Sequence, residues 1–117
     1  MRYFKYEEFD SPDEPGSGHY MDATFLSMLD ELREEVNMPV VINSGYRTIS
    51  HNKNVGGKNG SSHLKGLAVD ISCSSSRDRS IIVAAALQLG ISRIGIGKNF
   101  IHIDVDYTKS QNVIWLY

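Results

Sequence analysis

Apolar residues recur at helical spacing in one early segment. In MDATFLSMLDELREEVNMP, Phe25, Leu26, Leu29, Leu32 and Val36 fall on one face. Asp22 is placed to cap the start, and Asn37 with Pro39 ends the pattern, so a helix over 22–36 is predicted. The next apolar run, VVIN at 40–43, predicts a short strand. LAVDIS at 67–72 predicts another. SRDRSIIVAAALQL, 76–89, predicts a second helix with a serine N-cap and Gly90 just beyond its end. SRIGIG (92–97) and FIHIDV (100–105) predict the two strands of a hairpin, and NVIWLY a last strand. Residues 11–19, SPDEPGSGH, read as loop. From Ser44 to Ser62 the chain holds glycines, asparagines and few apolar residues, which predicts a long loop; in so small a chain such loops are usually functional or disordered. The order helix, strand, loop, strand, helix, strands predicts an α+β domain over 1–117, with a small, mainly antiparallel sheet flanked by two or three helices.

Strand alternation separates two faces. In LAVDIS, Leu67, Val69 and Ile71 share one side; Ala68, Asp70 and Ser72 share the other. In FIHIDV, Ile101, Ile103 and Val105 oppose His102 and Asp104. A carboxylate in a run that reads as buried costs several kcal/mol unless it is paired. If the two strands are neighbours, Asp70, His102 and Asp104 converge on one face, and His63 reaches it from the preceding loop. Two imidazoles and a carboxylate suit a catalytic zinc, with the fourth tetrahedral position left open. A divalent ion would also compensate Asp70. A polar cluster without metal, in which Asp70 pairs with an arginine or a hydroxyl, is equally consistent with the spacing.

Composition narrows the class. The chain has 117 residues, is 41% hydrophobic and carries a formal net charge of -2, which fits a single modest core. The basic residues do not cluster, so neither nucleic acid nor an anionic membrane is expected as a partner. No apolar run approaches the roughly 20 residues of a membrane span. The start, MRYFKYEEFD, has no apolar stretch of the secretory type, so no signal peptide is expected and synthesis in the cytoplasm is. The lone Cys73 excludes an intramolecular disulfide and a cysteine zinc finger, and reads as a small buried side chain.

The polar residues also carry a resemblance. SSHLKGLAVDI resembles the Ser-x-His-x-x-Gly-x-Ala-x-Asp signature of the zinc D-Ala-D-Ala carboxypeptidases, related in fold to the hedgehog signalling domain. Ser61, His63, Gly66, Ala68 and Asp70 fill its positions. SGYRT, 44–48, resembles the upstream Ser-Gly-Tyr-Arg element, and FIHID the second histidine motif. His51, Asn52 and Val55 to Gly57 resemble the short single-domain branch found in phages and bacteria.

The resemblance implies a hedgehog/D-Ala-D-Ala-peptidase-like fold, one zinc ion and ligands at His63, Asp70 and His102. It implies that Arg47 holds the substrate carbonyl or oxyanion, a role that suits a planar, permanently charged donor fork; a salt bridge from Arg47 to Asp70 or Asp104 is the structural alternative. Ser61 either bonds substrate or braces its loop. His51 is a candidate substrate or electrophilic contact, although a loop histidine is commonly solvated, as is expected of His19. Many relatives place a carboxylate three residues before the second histidine. Here that residue is Asn99, which cannot take a proton. Asp104 is the nearest alternative, as the base or as a group orienting His102 or Arg47, and Asp106 is a weaker candidate. The implied activity is hydrolysis of a peptidoglycan stem peptide or cross-link beside a D-amino acid, by a monomeric carboxypeptidase or endopeptidase such as a phage lysin. The rival is a zinc-binding recognition module that does not hydrolyse.

Overall fold

A computed structural model describes all 117 residues. Helix α1, Ala23–Val36, buries Phe25, Leu26, Leu29, Leu32 and Val36, the predicted face. The Asp22 carboxylate accepts from the Phe25 N–H at 2.9 Å, and Asn37 ends the helix in the left-handed conformation with φ 49°. Helix α2, Ile49–Asn54, lies inside the stretch predicted as loop. It is only six residues long and Ile49 is exposed, so it has no apolar periodicity; its one sequence signal is Thr48, which caps the His51 N–H. Helix α3, Ser76–Gln88, is capped by Ser75 and buries Ile82, Ala85 and Ala86. Short 3-10 turns cover Tyr6–Phe9, Ser17–Tyr20 and Ser62–Lys65, the second overlapping the predicted 11–19 loop.

Five strands form one sheet: β1 Ile42–Ser44, β2 Ala68–Ser72, β3 Arg93–Ile96, β4 Phe100–Asp104 and β5 Val113–Leu116. Their order is β1-β2-β4-β3-β5. All pairs are antiparallel except β3 with β5, so the sheet is mainly antiparallel as expected. β1 starts later than the predicted 40–43 and runs one residue further, to Ser44; Val40, just before it, is buried in the core and Val41 is exposed.

Apolar residues of β2, β3 and β4 face the two long helices. Val69, Ile71, Ile94, Ile101 and Ile103 are fully buried and join Phe25, Leu29, Leu32 and Ile82 in a cluster of 20 residues. Cys73 is buried at its margin. No helix is long and apolar enough to cross a membrane. The polar face of the sheet lies opposite this core. Residue pairing aligns Ser44, Asp70, His102, Gly95 and Trp115 in one row across all five strands. That row is where the chemistry collects.

Candidate metal centre

Register brings the first two groups together. Asp70 on β2 lies directly opposite His102 on β4, on the face away from the core. His102 Nδ1 is 3.0 Å from Asp70 Oδ1. His63 arrives from the Ser62–Lys65 turn, with its Nε2 3.4 Å from the same oxygen. One ligand atom from each of His63, Asp70 and His102 lies within 4.8 Å of the other two. The histidine rings are 5.2 Å apart and both are buried.

The turn carrying His63 has local causes. The Ser61 hydroxyl oxygen accepts from the His63 N–H at 3.2 Å, so Ser61 braces the loop in this structure. Gly66 closes the turn with φ 69°, and a Cβ there would lie 2.3 Å from the Tyr20 carbonyl oxygen. Only glycine combines that backbone angle with that approach. The signature glycine is therefore a steric requirement for presenting His63.

Each member of the trio is oriented through its remaining polar atom. His63 Nδ1 lies 2.7 Å from the Gly45 carbonyl, which accepts its N–H and turns Nε2 toward Asp70. Asp70 Oδ2 accepts from Arg47 Nη2 at 3.2 Å. His102 Nε2 lies 2.7 Å from Asp104 Oδ2. Orientation of ligands by carbonyls and carboxylates is the usual support of a metal site. Two imidazole nitrogens and one carboxylate oxygen, converging and each braced from behind, fit a zinc ion.

The charges agree. Burial alone would push the Asp70 carboxyl up, but hydrogen bonds with His102 and His63 outweigh it and hold the group well below the usual carboxylate range. Burial disfavours a charged His102, yet Asp104 and Asp70 on its two nitrogens raise its pKa overall. A metal ligand must be the neutral imidazole, so metal binding at His102 competes with its protonation.

Arg47 is held on three sides, by Ser44 Oγ, Asn52 Oδ1 and Asp70 Oδ2, at 3.0, 3.2 and 3.2 Å. The salt bridge to Asp70 thus forms. A guanidinium has five N–H groups, so two remain unspent. Asn52 is itself buried and donates to the Lys58 carbonyl, and Gly57 passes so close that a Cβ would lie 2.0 Å from Asn52 Oδ1. His51 does not join the trio, and its ring makes no hydrogen bond. His19 is exposed and stacks on Tyr6.

The two carboxylates after His102 differ. Asp104 is 1% exposed. Its Oδ1 accepts from Arg93 Nε at 2.7 Å and from the Asp106 N–H, while Oδ2 faces His102. Burial would raise its pKa, but His102, the Asp106 N–H and Arg93 together lower it. Asp106, the weaker candidate base, is turned elsewhere: Ser62 Oγ, Lys65 Nζ and Thr108 Oγ1 lie at 2.7, 3.1 and 2.7 Å from its oxygens. It latches the segment after β4 onto the turn that carries His63. Asn99 is exposed in the β3–β4 turn. Arg93 escaped the sequence reading, although parity with Gly95 across from His102 and Asp104 was its signal.

The Asp106 latch gives a pH-dependent prediction. Burial pushes this carboxyl up, but its bonds from Thr108, Ser62 and Lys65 hold it below the ordinary range. A group depressed in the folded state stabilises above its unfolded pKa, about 3.9, and loses that contribution as pH falls further. Asp106→Asn is expected to cost about 2 kcal/mol near neutrality. Urea titrations of both proteins should show the gap closing as pH drops below about 4; a gap independent of pH refutes the latch.

The family model described as Peptidase M15 matches residues 2–104 of the chain. No curated protein matches it.

Proposed function

Because the chain belongs to the M15 peptidase family, whose members are zinc-dependent, we propose that residues 1–117 form one zinc peptidase domain that hydrolyses peptidoglycan peptides. The bond is a stem-peptide or cross-link amide beside a D-amino acid, and the context a phage-type lysin that acts as a monomer on the bacterial wall. The observation that carries this reading is the convergence of His63, Asp70 and His102 on the polar face, within the matched span.

His63, Asp70 and His102 would hold the zinc, which when bound supplies a Lewis acid that polarises the scissile carbonyl and acidifies water. Arg47 keeps Asp70 aimed at the cluster and offers its two unspent N–H groups to the carbonyl oxygen, where negative charge develops. Asp104 accepts a hydrogen bond from the His102 Nε2–H and so fixes the ring's orientation. Its two oxygens are engaged by His102, Arg93 and a backbone N–H, and its lowered pKa makes it a poor proton acceptor. These facts favour orientation over the base role. Ser61 serves the loop, and a substrate contact from His51 would need the ring to approach the trio.

One observation favours a second reading, a zinc-binding recognition module without hydrolysis: the residue three before His102 is Asn99, which has no proton to take or give as an acid or base. A single assay separates the two. Purified zinc-loaded protein is incubated with muropeptides, with and without a chelator, and the products are weighed by mass spectrometry. Hydrolysis is expected to produce fragments that vanish with chelator and return with zinc. Tight zinc binding with no chelator-sensitive fragment from any muropeptide assigns the recognition role instead.

A further inference from the structure

The family match ends at residue 104, yet the next strand completes one flank of the site. β5 runs parallel to β3 and sets Trp115 beside Gly95, itself paired with His102. The Trp115 ring lies 5.4 Å from the His102 ring and 5.1 Å from the Arg93 guanidinium carbon. Tyr117 follows two residues later on the same side, 6.3 Å from Trp115 and 4.9 Å from Phe100. The space they use exists because residue 95 has no side chain. A Cβ there would lie 2.6 Å from both Trp115 Nε1 and Tyr117 Cε2.

This placement is not explained by the core. The apolar cluster and both long helices lie on the opposite face, to which Ile94 and Ile101 point. Trp115 is half-buried and Tyr117 is exposed, so their rings offer an apolar surface to solvent next to a charged trio. Arg47 stands at the other end of the same row, bonded to Ser44 and Asp70. A bound chain crossing the trio therefore meets a cationic fork on the β1 side and aromatic rings on the β5 side.

We propose that Trp115, flanked by Tyr117, is a substrate-binding residue of this peptidase: a shelf that takes the small apolar side chain and backbone of the peptide on the side of the scissile bond away from Arg47. The inference rests on the peptidase reading for its substrate class. Alanine-rich stem peptides present the methyl groups and planar amides that such rings contact. Gly95 is the device that lets the shelf approach the trio.

Trp115 is the single tryptophan of the chain, so its emission reports the shelf alone. Zinc-loaded full-length protein is titrated with stem-peptide muropeptides while that emission is recorded. Cleavage kinetics and zinc affinity, the latter by chelator competition, are then measured for Trp115→Ala, Trp115→Phe and Gly95→Ala. The wild-type emission should change saturably. Trp115→Ala should raise KM about tenfold with kcat within about threefold, and Trp115→Phe should recover most of the loss. Gly95→Ala, whose Cβ would displace both rings, should act in the same direction. Zinc affinity should stay within about twofold throughout. An unchanged KM in Trp115→Ala, or a zinc affinity that falls as far as KM rises, overturns the proposal, the latter because Trp115 would then only prop His102. If the wild type cleaves nothing while its emission still responds saturably, the peptidase reading falls and the shelf stands. If it cleaves while neither emission nor KM moves, the shelf falls alone.

Discussion

His63→Ala is expected to lower zinc affinity by at least two orders of magnitude and to remove peptidase activity with it. Structural zinc sites release roughly 10–16 kcal/mol over their ligand set, so one imidazole accounts for about 3 kcal/mol, a factor of over a hundred. The substitution also acts without metal. His63 is 2% exposed and its Nδ1–H is bonded to the Gly45 carbonyl at 2.7 Å. Removing the ring leaves that carbonyl short of a donor and opens a cavity beside His102, which together cost about 2–3 kcal/mol. Chelator competition reads the first effect. Thermal unfolding with and without zinc reads both: the variant should melt lower in chelator, and added zinc should no longer raise its midpoint. A zinc-dependent rise equal to that of the wild type would remove His63 from the ligand set.

Asp104→Asn distinguishes the two roles open to that carboxylate. If Asp104 orients His102, zinc affinity is expected to fall about 10–100-fold, the usual effect of losing a carboxylate behind a ligating histidine. Stability should fall as well, by about 3 kcal/mol, because Arg93 is only 9% exposed and keeps its charge with no partner carboxylate. The double variant Asp104→Asn with Arg93→Gln removes that orphaned charge and keeps the zinc measurement readable if the single variant unfolds. Retained zinc affinity together with lost turnover would return Asp104 to the role of base.

The helices differ in how far they could be read in advance. α1 carries a repeating apolar face and a capping residue, Asp22, whereas α3 carries an unbroken apolar run, the Ser75 cap and Gly90 beyond its end; the limits of both fall within a residue of the expected ones. α2 has the cap alone. Six residues with an exposed Ile49 bury almost nothing, so periodicity had no purchase on them, and Thr48 was the one local sign. The segment earns its helix from outside, by holding Asn52 against Arg47 and the Lys58 carbonyl. β5 was visible as a strand, but its partner was not: parallel pairing with β3 depends on a connection from β4 that passes over β3, which no local pattern encodes.

The site divides in the same way. Alternation along LAVDIS and FIHID settles that Asp70, His102 and Asp104 face away from the apolar core, because side chains of a strand must point to opposite sides in turn. The glycine at 66 stands at one of the signature positions. Those facts, with the family signature, belong to the chain read alone. Distances between residues far apart in sequence do not. Pairing of β2 with β4 in the register Asp70 to His102 made a trio out of three scattered residues. The same packing spent Asp106 on Ser62 and Lys65, committed Asp104 to Arg93 and His102, and laid Trp115 across Gly95. A residue's type limits the chemistry it can do; which partner occupies each of its polar atoms is decided when the sheet closes.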